Sequence, residues 1–314
     1  MANKTVTSTI KHRQGAAATW ESKNPVLAAG ELGYDTTNKR TKIGDGVTPW
    51  NDLDWFAVKK KPTFAESDWA EIAEISKSGA AATTFKVGDE RTIELTTGEE
   101  VTLVILGFNH DDLQSGGKAG ITIGMKELLA TRYAMNSSGT NAGGWDTSKM
   151  RTDTMSTLLG QLPADLQTVI KTVNKKATAG GQSETITTSA DKLFLLAMSE
   201  IYSKTSIENS TTATIKDYAA AYNAEGTQYE YYRNLIGDNN GGTATNAALI
   251  KRLSNGGGSA NAWWLRSPNV SGTTIFRYIN SAGNVSSSIA NGSYGSVNYY
   301  SANNSYGVSF GFCV

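Results

Sequence analysis

Few residues in this chain have the type and spacing to do chemistry, and each also has a plainer reading. His110-Asp111-Asp112 sets an imidazole beside two carboxylates, a group that could hold a metal or move a proton. The other histidine is the distant His12, and a metal site draws on more than one histidine or on several spaced carboxylates. Asn109 and the two aspartates follow the apolar run LVILGF, so a turn is the expectation there. Trp50-Asn51-Asp52 offers side-chain oxygens, but calcium needs six or more from a wider set. Gly143-Gly144 and Gly256 to Gly258 lie in Asn-containing loops, not between a strand and a helix, and so are not phosphate cradles. Cys313, the single cysteine, has no charged neighbour to lower its pKa and reads as a buried thiol. No Ser/His/Asp or paired-carboxylate arrangement is visible. The expectation is a protein without catalytic residues, cofactor or metal.

Composition narrows the remaining classes. The chain has 314 residues, enough for two ordinary domains, with 29 Lys plus Arg against 29 Asp plus Glu. Zero net charge gives no electrostatic case for nucleic acid or an anionic membrane. No apolar window is long enough for a membrane span, and MANKTVTSTIKHRQG has no apolar signal-peptide core. Synthesis and folding in the cytoplasm are expected. Charged residues make up 18% and nearly vanish after Arg266, and that shift is the main clue.

The elements that would position a site come in two parts. Residues 1–58 read as a small all-β unit: an alternating strand at Thr5 to Ile10, one short helical turn in GAAATWE, and a hairpin from Glu31 to Gly46 turning at Thr36 to Lys39. It is poor in large apolar residues, and oligomerisation is the usual remedy. Residues 59–63 read as a linker. Residues 64–314 mix strands and helices without βαβ regularity, which is α+β. Thr63 with Glu66 fits a capping box before the stripe Trp69, Ile72 and Ile75. A hairpin is expected over Arg91 to Phe108, a helix from Asp146 or Thr147 to Leu159, and another from Pro163. Leu193 to Met198 reads as a buried strand or helix start, and Ile215 to Leu235 has helical spacing.

The last segment opens with Trp263-Trp264-Leu265-Arg266-Ser267-Pro268 and closes with Val308 to Val314, both strand-like and apolar. Between them lie Ser, Asn, Gly and Tyr, the blend of antibody binding loops. From Asn269 to Val314 there is no Lys, Gln, Glu, Met or Trp. Those five are the residues that an Asn codon ending in a pyrimidine cannot reach when its adenines are replaced. The pattern suits adenine-directed diversification.

GELGYDTTNKRTKIGDGVTPWNDL resembles the N-terminal repeat unit of phage tail-fibre proteins, including the major tropism determinant family. FKVGDERTIELTTGEEVTLVILGFNHD, GITIGMKELLA, MNSSGTNAGGWDTSKMR, WWLRSP and GVSFGFCV resemble a bacterial and phage domain with a C-type lectin-like fold. The stretch between WWLRSP and GFCV is similar to the variable region of diversity-generating retroelement proteins, in which a reverse transcriptase rewrites surface residues on a fixed backbone. Formylglycine-generating enzyme shares that fold but needs catalytic cysteines absent here. The resemblance implies a homotrimer at the tail-fibre tip of a virion, with other phage tail proteins and a host-cell surface receptor, protein or glycan, as partners. It implies neither nucleic-acid binding nor membrane insertion.

The resulting expectation is a receptor-binding protein with its variable region at about 269–314. The contact residues would be Ile275, Arg277, Tyr278, Ser286, Ser288, Ser293, Tyr294, Ser296, Asn298, Tyr299, Tyr300, Asn303, Asn304, Ser305 and Tyr306. Trp263, Trp264, Leu265, Arg266, Phe310 and Phe312 would be scaffold. The alternative is a carbohydrate-binding lectin-like module of a phage or cell-surface protein.

Overall fold

The computed structural model describes residues 11–56, 61–237, 247–255, 259–283, 285–286 and 301–314. The chain divides into two compact units, Met1–Lys61 and Pro62–Val314. The expected strand at Thr5 to Ile10 lies outside the described residues.

In the first unit, strand Leu32–Asp35 pairs in parallel with Arg13–Gly15 and antiparallel with Arg40–Ile43. The hairpin turn is the expected one: Asp35 Oδ1 accepts from the backbone N–H of Thr37 and Asn38, and Lys39 takes φ 54°. The all-β expectation is corrected by helix Ala17–Lys23, which supplies Trp20 to the core. Trp20 stacks on Trp50 with ring centroids 4.0 Å apart, and Leu27 completes a three-residue core. Gly33 faces this stack, where a Cβ would come within 2.5 Å of the Trp50 ring. Only glycine fits there, so the second glycine of GELGYD is a packing requirement.

The second unit is built on a five-stranded antiparallel sheet, in the order Phe194–Leu195, Phe310–Cys313, Ile121–Met125, Glu100–Phe108 and Glu90–Glu94. The expected hairpin forms its edge. Glu100–Phe108 is buried at Val101 and from Leu103 to Gly107, because helix Glu230–Ile236 also lies against it. The chain's last strand sits inside this sheet, and Ser76 Oγ donates to the Val314 carbonyl at 2.5 Å. The mixed α+β reading holds, with small sheets.

Several boundaries differ from the sequence reading. Helix Trp69–Lys77 is capped by Asp68, whose carboxylate accepts from Glu71 N at 2.7 Å. Thr63 and Glu66 bond to each other in the turn before it. A nearer acceptor won the cap. The helix expected from Asp146 or Thr147 opens later, in a wide turn at Met150–Thr154, and continues as Met155–Gln161. Helix Ala164–Val169 follows Pro163 but is short, because Lys171 leaves it to pair with Cys313. Leu193 to Met198 is both things considered, strand Phe194–Leu195 and then helix Met198–Ile201. The sequence gives little sign of the hairpin Val173–Gly180 with Ser183–Asp191, because buried Lys175 sits between Val173 and Ala177 on its inward face.

Candidate binding surface and its anchors

The C-terminal segment starts from a fully buried strand. All six residues of Trp263–Pro268 are buried, and the strand pairs with Phe276–Ile279, which pairs with Val285–Ser286. Alternation fails here because both faces are covered. Trp263 Nε1 donates to the Leu249 carbonyl at 3.1 Å and Trp264 Nε1 to that of Tyr133 at 2.9 Å. Each indole thus buries its bulk while its one donor stays paired. Trp264 meets Tyr278 edge-on at 6.1 Å and Tyr306 at 4.6 Å, and Tyr278 stacks on Tyr306 at 5.3 Å.

Loop 136–144 ties down both ends of the segment by its backbone. The side chain of buried Asn141 donates from Nδ2 towards three carbonyls, Asn269 at 3.1 Å, Gly272 at 2.9 Å and Ile275 at 2.8 Å. Its Oδ1 accepts from Gly181 N, and its own N–H donates to Thr273 O. Asn136 N–H donates to Ala302 O at 2.9 Å, and strand Tyr133–Ala134 pairs with Ser305–Tyr306. Gly307 holds the far end close, since a Cβ there would lie 2.4 Å from Leu128. Asn136 and Asn141 were not singled out from the sequence. In the run MNSSGTNAGG they look like ordinary turn formers.

The expected contact residues fall into three groups. Ile275, Arg277 and Tyr278 are corrected: all three are buried, Arg277 with no exposed surface, so none is placed to touch a receptor. Strand Phe276–Ile279 is covered on both faces, and Arg277 turns inward because the interior has partners for it. Its Nε donates to Tyr222 Oη at 2.9 Å and its Nη2 to Tyr222 Oη and Asn269 Oδ1 at 2.7 and 3.0 Å. Asn303 and Ser305 are exposed, and Asn304 and Tyr306 are half-buried, on one turn with Ser301. Ser286 lies in the strand paired with Tyr278. Ser288, Ser293, Tyr294, Ser296, Asn298, Tyr299 and Tyr300 lie outside the described residues. The scaffold residues Trp263, Trp264, Leu265, Arg266, Phe310 and Phe312 are all buried.

Beneath the anchors runs a buried ionic network that the sequence reading missed. His110-Asp111-Asp112 is partly the expected turn, with Asn109 at φ 49° and Asp112 paired to Lys118 at 2.6 Å. Asp111 points inward instead. It accepts from Lys175 Nζ at 2.6 Å and Thr122 Oγ1 at 2.6 Å, and Tyr229 Oη lies 2.9 Å away. Lys175 also donates to Glu200 at 2.5 Å, and Arg266 forks onto both Glu200 oxygens at 2.5 and 2.7 Å. Arg266 spends its other donors on the carbonyls of Lys176, Leu195 and Glu225. Burial would raise the Asp111 carboxyl, but Lys175, His110 and Thr122 together outweigh it and hold it well below the usual range. Burial likewise works against Glu200, and Arg266 and Lys175 together keep it lowered. The surplus carboxylate is Glu225, which burial pushes up to about 7 against bonds from Ser267 and Thr178. Burial and the Asp111 charge push the Cys313 thiol well above its ordinary value, and it is the buried thiol expected. All donors of Lys175 and Arg266 are committed, so the network joins loops to strands and leaves no free charge to react. Arg266 in the apolar WWLRSP was the available signal: a lone charge in a buried strand needs a partner.

A domain built this way belongs to the family described as "Domain of unknown function (DUF6273)", whose model matches residues 120–308, more than half of the chain. Ahead of it, residues 10–48 match the major tropism determinant N-terminal domain, which makes the first unit like that of a phage tropism determinant. No curated protein matches. Among solved structures, a hyaluranidase trimer in complex with ascorbic acid is similar at 21% identity over 24% of this chain and 25% of that one, with a TM-score of 0.16. The chain spans about a quarter of that protein's length, and so short a likeness carries no argument. No described helix is long and apolar enough to cross a membrane.

Proposed function

We propose that this chain is a phage receptor-binding protein whose C-terminal segment is a hypervariable surface on a C-type lectin-like scaffold. The first unit joins it to the virion tail and to two further copies. The segment is diversified by a retroelement, and it meets a ligand on the host cell. The observation that carries this reading is how the segment is held. It is bracketed by two buried strands, and loop 136–144 grips it through backbone atoms, with Asn141 reaching three carbonyls. Anchors made to carbonyls and amides do not depend on which side chains the segment carries, and a rewritten surface needs that.

Contact then rests on the turn with Asn303, Asn304, Ser305 and Tyr306, and on Ser288, Ser293, Tyr294, Ser296, Asn298, Tyr299 and Tyr300. Support for a trimer comes from the first unit, whose small core leaves Val47 77% and Phe56 53% exposed. Closed symmetry would cover such apolar surface, and three copies would raise weak contacts to useful avidity. The test is adsorption of the purified chain to a panel of bacterial cells, with and without replacement of residues 287–306 by a Gly/Ser stretch. Binding to at least one strain that the replacement abolishes is expected. Equal binding by both proteins would sink the reading.

A further inference from the structure

Beside the anchored turn lies an open groove of about 450 Å³, between loop 136–142 and the helical start at 147–153. That is within the range of roughly 300–1,000 Å³ usual for small-molecule sites. Its lining is unusual for such a site. Ala142 is its one apolar residue, and the rest are Asn, Ser, Thr, Lys and Asp. An apolar ligand would therefore find nothing to bury against. Lys149 and Asp153 pair at 2.5 Å, so the groove offers an anion no unpaired cation and a cation no unpaired carboxylate. Asn136 is spent on the loop itself, donating to Thr140 O at 2.7 Å and accepting from Lys149 N at 2.9 Å.

What the groove does present is the exposed hydroxyls of Ser137, Ser138 and Thr147 and the exposed ion pair. Hydroxyls rotate to donate or accept. The ammonium has three donors and the carboxylate about four acceptor positions, so their mutual bond leaves most of both unspent. Adjacent hydroxyls on a ring match this: one donates to Asp153 while its neighbour accepts from Lys149. Charge-assisted bonds of that kind are the stronger ones. The groove also adjoins the turn proposed to touch the receptor. Gly139 packs so closely that a Cβ would lie 2.2 Å from Ser301 Oγ and 3.6 Å from Asn303 Oδ1.

We infer that this groove is a subsite for a neutral, polyhydroxylated ligand, a saccharide unit of the host-cell surface. The inference rests on the receptor-binding reading for the source of the sugar, not for the chemistry of the groove. Saturation-transfer NMR on the full chain tests it, with glucose, galactose, rhamnose and N-acetylglucosamine as probes and N-acetylneuraminic acid as the charged control. At least one neutral sugar should bind and the charged one should not. Asp153→Ala should weaken that binding about tenfold, the factor that 1.4 kcal/mol makes. Ser138→Val, a surface change that leaves the ion pair, should weaken it less.

No transfer to any neutral sugar overturns the inference, as does unchanged binding in Asp153→Ala with an unchanged melting curve. Preference for the charged sugar also overturns it. Adsorption to cells separates the two readings. Cells whose surface diols have been cleaved with periodate should lose adsorption. If adsorption survives both periodate and Asp153→Ala, the groove inference falls and receptor binding stands. If sugar binding is present but no cell is adsorbed, the reverse holds.

Discussion

Strand Phe276–Ile279 and the turn around Ser305–Tyr306 come from the same Tyr- and Asn-rich stretch, in which Arg277 is the single charge, yet one is core and the other is surface. Tyr278 is buried and Tyr306 is half-buried, and the two rings stack on each other at 5.3 Å. The difference lies in what covers each of them. Helix Ala219–Asn223 brings Tyr222 to Arg277 and to the backbone N–H of Val270, which roofs the strand. The turn is held from below by loop 136–144 and has no such roof among the described residues. A composition suited to display therefore says nothing about which of its residues are displayed.

Breaking the support below both regions should have the largest effect. Glu200→Gln removes the charge facing Arg266 and Lys175, and opening a buried pair from one side costs about 3–5 kcal/mol. Urea unfolding should show that loss, and a loss below about 1 kcal/mol would mean the network is hydrated rather than buried. Trp264→Ala empties the aromatic site between Tyr278 and Tyr306 and should also cost about 3–5 kcal/mol.

Arg277→Ala distinguishes the strand from the turn. It removes one buried partner each from Tyr222 Oη and Asn269 Oδ1, so a loss of about 1–3 kcal/mol is expected. Ser305→Tyr, on the exposed turn, should stay within about 0.5 kcal/mol of the parent in a thermal melt. Equal losses in the two variants would erase the distinction between strand and turn.

Two buried groups sharpen the comparison through pH. The Glu225 carboxyl rises from 4.5 to about 7, so the folded chain holds a proton that the unfolded chain has lost. Its contribution is full below about pH 4.5 and disappears as pH rises through about 7, on the order of 3 kcal/mol. Lys251 behaves oppositely. Burial takes it from 10.5 down to about 7, so its contribution is full above about 10.5 and is lost as pH falls through about 7. Between about pH 5 and 9, stability should pass through a minimum near 7. Glu225→Gln should flatten the acid side of that dip and Lys251→Met the alkaline side, read as melting temperature against pH. A profile with its maximum at pH 7 would contradict both.

Much of the framework was legible from local signals. The hairpin at 32–43 rests on a turn whose Asp35 carboxylate accepts from the backbone N–H groups of Thr37 and Asn38, and Gly79 at φ 77° ends helix Trp69–Lys77 where the apolar stripe stops. WWLRSP and SFGFCV read as core because a run of large apolar residues has no other low-energy place to go. What failed depended on partners distant in sequence. Lys175 in a polar hairpin gave no local sign that Asp111 and Glu200 would neutralise it. Asn141 looks like a loop residue until carbonyls 128 to 134 positions away are brought to its amide. Arg277 reads as a surface charge because charges usually are, and its burial depends on the Tyr222 hydroxyl, the Asn269 side chain and the Thr214 carbonyl that accept from it.

The sequence by itself determined the division into a small unit like a tropism determinant's N-terminal domain and a larger α+β domain, the apolar strands at both ends of the last segment, and the buried cysteine. Periodicity, turn chemistry and composition act over a few residues and survive without a fold. The tertiary structure alone decided which side of the Tyr- and Asn-rich segment faces outward, which charges are inside, and where the polar groove opens. Those outcomes depend on desolvation balanced against partners that only the folded chain brings within hydrogen-bonding distance.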